Sequence, residues 1–301
     1  MILCDTHADT LHRLACHPGA PCDVTLEKLR RGGVTVQTLA LFVGGSPALD
    51  CISRDFDRML RTADALISQG WRKLTDYRNA EEGQAAFLLS VEGCDLLNGD
   101  LSLLKTWRGL GVRMAALTWN YENCLGTPAK ISQQTPLTSF GREAVREMVR
   151  LGIAPDVSHL NERGFYDLLD MGVSPVASHS CCRALCPHFR NLSDDQLNAL
   201  FQAGGYVGVN FYPEFLDPDG KADLDRVCYH VLHMLDLGGA GMIGFGSDFD
   251  GIERKPQGLD GPQDMPALLK ALENRGVTWP LLRGIAGENL LRYYDRFDPK
   301  E

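Results

Sequence analysis

No stretch of this 301-residue sequence approaches the roughly 20 consecutive apolar residues needed to cross a bilayer, so no membrane partner is expected. Basic charge is in deficit. Thirty Lys and Arg stand against 39 Asp and Glu, a formal charge of -9, the wrong sign for a surface that neutralises phosphates, and no nucleic-acid partner is expected. The amino terminus, MILCDTHADT, has no basic region, apolar core or small-residue cleavage site of an export signal, which leads to the expectation of a cytoplasmic protein. There is no Pro/Gly/Ser-rich linker, internal repeat or low-complexity tract, so residues 1–301 are expected to form a single domain. The ten cysteines are scattered and form no paired C-x-x-C knuckle. In a chain without an export signal they read as reduced thiols, and Cys181, Cys182 and Cys186 lack the spacing of a soft metal site. Nor does the fold need disulfide staples, because a 44% apolar chain of this length removes roughly three quarters of its unfolded surface from water.

What is present is a rhythm. Short apolar, β-branched runs recur at 2–5, 34–43, 85–91, 112–119, 153–158, 173–178, 206–212 and 242–248. Most are nearly continuous rather than alternating, as expected of parallel strands covered on both faces. Helical patterns lie between them. In TSFGREAVREMVRLG, Val145, Met148, Val149 and Gly152 form one stripe, with Thr138 or Ser139 as N-cap. Ser193 and Gln196 make a capping box, and three further helical stretches follow, two of them ending at a glycine. Eight strands alternating with helices predict an α/β fold, a (β/α)8 TIM barrel, over a doubly wound open sheet. Loop lengths favour the barrel, because the joins from helix to strand are tight while long polar segments follow the fourth, seventh and eighth strands. In a barrel those segments rise from the carboxyl-end face, where active sites are built.

Residue types that ligate metals fall at the ends of these runs. His7 and Asp9 close the first, Glu92 the third, His159 the fifth, His179 the sixth and Asp248 the eighth. On one barrel face they would form a single cluster. In a His-x-Asp pair on an extended segment both side chains lie on the same side. Imidazole with carboxylate suits zinc, and a carboxylate between two centres, here Glu92, can bridge them. Unpaired charges in otherwise apolar segments would be costly to bury, which favours a metal cluster over coincidence. The other five histidines, His12, His17, His188, His230 and His233, stand in helical or loop context and read as surface or packing residues. Two further motif matches fail on context. Gly239-Ala-Gly241-Met-Ile-Gly244 enters a strand instead of leaving one, and the Asp248–Gly251 segment lacks the other ligands of a calcium loop.

The motifs DTHADT, SVEGCDLL, LTWN, FGREAVREMVRLGIAPDVSHL, SHSCCRALCPHFRNLSDDQL, VNFY and GFGSDFDGI, in this order and spacing, closely resemble the membrane dipeptidase (renal dipeptidase) family, the M19 metallopeptidases, over residues 3 to about 296. The resemblance implies a barrel of the metal-dependent amidohydrolase type. It implies two zinc ions, one held by His7, Asp9 and Glu92 and the other by Glu92, His159 and His179, with Glu92 bridging. Manganese or cobalt fits the same donors. By the same resemblance Asp248 matches the carboxylate that handles the proton, Arg190 the arginine that holds the substrate's terminal carboxylate, and Tyr212 lies in the stretch lining the pocket. Where mammalian members have a histidine after LT, this chain has Trp119, leaving Asn120 or a zinc ion to supply the missing polarity. Mammalian members carry an export signal and a lipid anchor, so the resemblance is to a bacterial cytoplasmic relative, and the family implies a homodimer.

The implied activity is hydrolysis of dipeptides, including those with a C-terminal D-residue, by a metal-bridging hydroxide. Fold does not fix function, and two alternatives stand beside it. One is an N-acyl amino acid hydrolase or lactonase of the same superfamily; the other is a non-catalytic metal-binding barrel.

Overall fold

The computed structural model describes residues 1–43 and 48–298. Each of the eight apolar runs contains a strand, and one short strand is added. In chain order they are β1 (Cys4–Asp5), β2 (Val36–Phe42), β3 (Arg72–Lys73), β4 (Ala86–Glu92), β5 (Val112–Ala116), β6 (Ala154–Asp156), β7 (Val176–Ser180), β8 (Tyr206–Val209) and β9 (Ile243–Phe245). Every pairing is parallel, and the sheet closes as the ring β1-β2-β4-β5-β6-β7-β8-β9, with β9 returning to β1. The extra strand β3 pairs only with the first two residues of β4. The result is a closed eight-stranded parallel barrel surrounded by helices, the (β/α)8 fold.

Two buried apolar clusters hold it. Alternate residues such as Leu39 and Leu41 of β2, or Phe87, Leu89 and Val91 of β4, pack outward with the helices. Their neighbours Cys4, Val36, Ala86, Leu88, Met114, Ala154, Val176 and Tyr206 form a separate cluster that Tyr293 and Tyr294 of the last helix join. That alternation has period two, so on β4 the face of Ala86 and Leu88 continues through Ser90 to Glu92. The chain therefore delivers a carboxylate to the carboxyl end of the barrel.

Capping works largely as the sequence predicts. Thr138, not Ser139, caps helix Ser139–Leu151, its hydroxyl accepting from Gly141 N at 2.9 Å, and the helix ends in a left-handed Gly152 with φ 70°. Ser193 and Gln196 form the capping box of helix Asp194–Gln202. The glycines after helices Leu224–Asp236 and Met265–Asn274 stand one residue beyond the cap, at Gly238 and Gly276. Between helices Trp279–Arg283 and Asn289–Phe297 the chain makes a π-helical turn, Gly284–Glu288. Beyond that turn, buried Asn289 donates to Ile243 O at 2.8 Å and ties the last helix to β9.

Candidate metal centre

The ring brings the strand-end residues of the sequence together. His7 Nε2 lies 3.7 Å from Asp9 Oδ2, 3.5 Å from Glu92 Oε2 and 3.8 Å from Asp248 Oδ1. The other Glu92 oxygen, Oε1, lies 3.0 Å from His159 Nε2 and 3.6 Å from His179 Nε2. Glu92 thus stands between two groups of donors, one oxygen toward each. All of these residues are buried except Asp9 and Asp248, which are partly open to the cavity.

Local backbone, more than strand geometry, aims several of these side chains. β1 ends at Asp5, so His7 and Asp9 lie past the strand, on a segment pinned by the Ala8–Phe249 bridge. His159 and Asp248 both adopt left-handed backbone, with φ 70° and 66°. Non-glycine residues are held there only when their surroundings over-determine them, and such positions gather at functional sites. His179 owes its orientation to a register shift between Ala177 and Ser180 of β7, where Ser178 and His179 together oppose the single Gly208 of β8. This bulge breaks the strict alternation. Gly251 passes so close to the cluster that a Cβ there would lie 2.1 Å from Asp9 Oδ2 and 2.6 Å from Asp248 Oδ1.

Hydrogen bonds set the state of the imidazoles. His179 Nδ1 meets Ser178 Oγ at 2.8 Å, and that hydroxyl donates in turn to buried Asp156. His159 Nδ1 donates to Asn120 Oδ1 at 3.2 Å. With both Nδ1 atoms protonated, the two Nε2 atoms are bare lone pairs, yet they face each other at 3.1 Å. Two facing lone pairs repel unless a cation lies between them. Burial and nearby Arg190 push the His159 pKa down to about 4, and burial with His7 and Arg190 holds His179 well below its usual value, which keeps both rings neutral and ligand-competent. Burial opposes the charge on Glu92, but His7 beside it outweighs burial and holds that carboxyl well below its usual range. His7 Nε2 and Asp9 Oδ1 are buried without a hydrogen-bond partner. Orphaned donors of these types, clustered this way, fit a divalent-cation centre.

Asp9, Glu92, His159 and Asp248 of the cluster line a cavity of about 540 Å³. Asp248 lies in its wall, with Oδ2 accepting from Asn210 Nδ2 at 2.9 Å. Burial raises its pKa to about 7, Asp9 and Glu92 adding to the rise while His7 opposes it. Arg190 also lines the cavity and is only 5% exposed; its guanidinium lies 5.5 Å over the Phe215 ring, and its Nε and Nη2 have no partner. Tyr212 and Trp119 line it as well. Asn120 does not; its side-chain oxygen is turned to His159, making it a positioning group in place of the free cavity polarity considered for it.

Sequence reading missed nine of the lining residues, among them Phe215, Asp250, Gly251, Ile252 and Glu253. His12 and His17, expected to be bland, reach the cavity together with Arg13, and Phe42 joins them from the end of β2. The signal was present: Asp9, His12 and Arg13 are spaced i, i+3, i+4 across helix Thr10–Cys16. The remaining three histidines are structural. His230 accepts from Cys182 N and donates to Leu216 O, each at 3.0 Å, His233 pairs with Asp194 at 2.8 Å, and His188 packs on Phe215. Every cysteine is a free thiol, and among the described residues no helix is long and apolar enough to cross a membrane.

Comparison with known proteins agrees with this site. The family model for membrane dipeptidase, peptidase family M19, matches residues 1–298. An uncharacterized dipeptidase of Schizosaccharomyces pombe is 33% identical over 304 residues, covering 92% of this chain and 73% of that protein. A dipeptidase of Claviceps purpurea is 36% identical over 216 residues, covering 70% of this chain and 50% of that one. Among solved structures, a metallopeptidase from Rhodobacter sphaeroides bound to a phosphinate mimic of the dipeptide L-Ala-D-Ala has a TM-score of 0.91 at 26% identity over 99% of each chain. A second M19 dipeptidase has a TM-score of 0.91 at 26% identity over 98% of each chain. With the barrel, the cluster and a family match over nearly its whole length in agreement, this chain belongs to the membrane dipeptidase family, the M19 metallopeptidases, hydrolases that act on peptide bonds.

Proposed function

We propose that this protein is a zinc-dependent dipeptidase whose catalytic unit is the single barrel of residues 1–301. The observation that carries the proposal is Arg190: a buried guanidinium with two unpartnered nitrogens, facing the same cavity as the donor cluster. Buried guanidinium nitrogens without hydrogen-bond partners are costly, and a substrate carboxylate supplies those bonds in forked geometry. Anchoring at a free carboxylate one residue from the cleaved bond directs hydrolysis to the C-terminal peptide bond, and a requirement for a free amine on the other side of that bond completes a dipeptidase. The solved relative holding a mimic of L-Ala-D-Ala extends the proposal to dipeptides with a D-residue at the C-terminus.

His7, Asp9 and Glu92 would hold one zinc ion, and Glu92, His159 and His179 the second. Bound there, the ions supply Lewis-acid polarisation of the scissile carbonyl and acidify water. The chain's own residues do the rest. Ser178 and Asn120 fix two imidazoles with Nε2 bare. Asn210 holds one oxygen of Asp248, leaving the other to take the proton from the attacking water and return it to the leaving amine. Arg190 keeps the substrate's carboxylate in place through both transfers.

The test is amino acid release from a panel of L-L and L-D dipeptides, with N-acetylated versions and the Asp248→Asn variant beside them. Release from free dipeptides only, lost in Asp248→Asn by a factor of about 10² to 10⁴ while metal content is kept, is the expected result. Cleavage of the N-acylated compounds alone overturns it in favour of an N-acyl amino acid hydrolase.

A further inference from the structure

The cavity that Arg190 lines also carries an aromatic wall. Phe42 closes β2, and its ring meets Trp119 edge-on with centroids 4.9 Å apart and His12 edge-on at 5.1 Å. Trp119 continues the wall to Tyr121 at 5.7 Å and to His159 at 6.1 Å. His12, Phe42 and Trp119 are each half-buried and line the cavity, so their free faces look into it. Edge-to-face rings of this kind offer a contiguous, rigid, apolar contact surface.

The topology decides what that wall can touch. Counted around the ring, β2 and β7 are four strands apart in either direction, diametrically opposite. Arg190 stands in the segment after β7, its guanidinium over Phe215 of the segment after β8, Phe42 ends β2, and Glu92 and His159 line the cavity that the two share. A dipeptide whose carboxylate is held at Arg190 and whose scissile carbonyl lies over the cluster must extend its amino-terminal residue toward β2.

We infer that the His12–Phe42–Trp119 wall is the subsite for the side chain of the amino-terminal residue and selects a large apolar or aromatic one. The inference rests on the dipeptidase reading and deepens it. A lysine or arginine side chain there meets an apolar surface that cannot solvate it.

The experiment compares kcat/KM for Phe-Ala, Leu-Ala, Gly-Ala, Glu-Ala and Lys-Ala, and for the reversed Ala-Phe and Ala-Gly pair, with wild type, Phe42→Ala and Phe42→Leu, each melted to verify folding. The wild type is expected to favour Phe-Ala and Leu-Ala over Gly-Ala by about tenfold or more, the scale on which apolar pockets discriminate, with Lys-Ala poorest. Phe42→Ala should lower the Phe-Ala to Gly-Ala ratio by roughly tenfold, and Phe42→Leu should restore part of it. A flat series, a preference for Glu-Ala through Arg13, or a Phe42→Ala effect confined to the Ala-Phe to Ala-Gly ratio overturns the assignment. If Phe42→Ala does not fold, the wild-type series and Phe42→Leu still decide it. Cleavage of none of the peptides overturns the dipeptidase reading itself and takes this inference with it.

Discussion

Replacing Arg190 with methionine should weaken catalysis and strengthen the fold in the same molecule. The guanidinium is 5% exposed and two of its nitrogens have no partner. In the substrate-free protein it is a desolvated charge with two buried nitrogens that make no hydrogen bond, and a buried unpartnered polar group costs about 1–3 kcal/mol. Methionine keeps the stem and its contact with Phe215 while removing the charge. The lost cation–ring contact offsets about 0.5–1 kcal/mol of the gain. A net stabilisation of about 1 kcal/mol corresponds to a rise in Tm of about 2 °C in a chain of this size. Catalysis moves the other way. Removing one partner of a buried, hydrogen-bonded charge pair costs about 2–5 kcal/mol, which is a loss in kcat/KM of about 30-fold to 4000-fold. Calorimetry of the metal-loaded proteins beside steady-state kinetics on one good dipeptide reads both. If Tm falls by several degrees while kcat/KM is unchanged, Arg190 is a structural ion and the anchoring argument fails.

Ser178→Ala severs the bond between Asp156 and the His179 ring, so metal affinity should drop by about 10- to 100-fold; a chelator competition that gives the wild-type constant would refute a positioning role for Ser178. The buried imidazole of His230, pushed down to about 4 chiefly by burial, lies far from the cluster in role and bonding. Because its folded pKa is below the unfolded value near 6.5, the unfolded chain takes up the proton first. Its stability contribution is complete above pH 6.5 and is lost as pH falls toward 4, by up to about 3 kcal/mol. Melting curves from pH 7 to 4 should be steeper for the wild type than for His230→Gln, and parallel curves would contradict this.

Much of the architecture was legible because the signals involved are local. The eight apolar runs, the caps at Thr138 and Ser193, and the tight returns into strands follow from residue type and spacing within ten residues or so. Glu92 was legible too: on β4 the alternation that faces Ala86 and Leu88 into one cluster carries Glu92 to the same face at the barrel's end. His12 and His17 were visible only once Asp9 was known to open a helix facing the cavity. Asn120 looked like a cavity group because nothing in its neighbourhood of the chain announces a bond to residue 159.

The sequence by itself determined the eight barrel strands, which residue types end them, and the family motifs that name the chemistry, since period, capping and composition act over short range. Only the tertiary structure decided that His7 and Asp248 share one site, because β9 must close against β1 before they meet. It alone turned His179 inward, through a bulge that β7 makes against β8, and forced His159 and Asp248 into left-handed backbone that neither residue prefers on its own. It also brought Phe42, at the end of β2, and Arg190, in the segment after β7, to one cavity, although their strands stand four apart in either direction around the ring. These are consequences of ring closure, a condition on the whole chain that no local window contains.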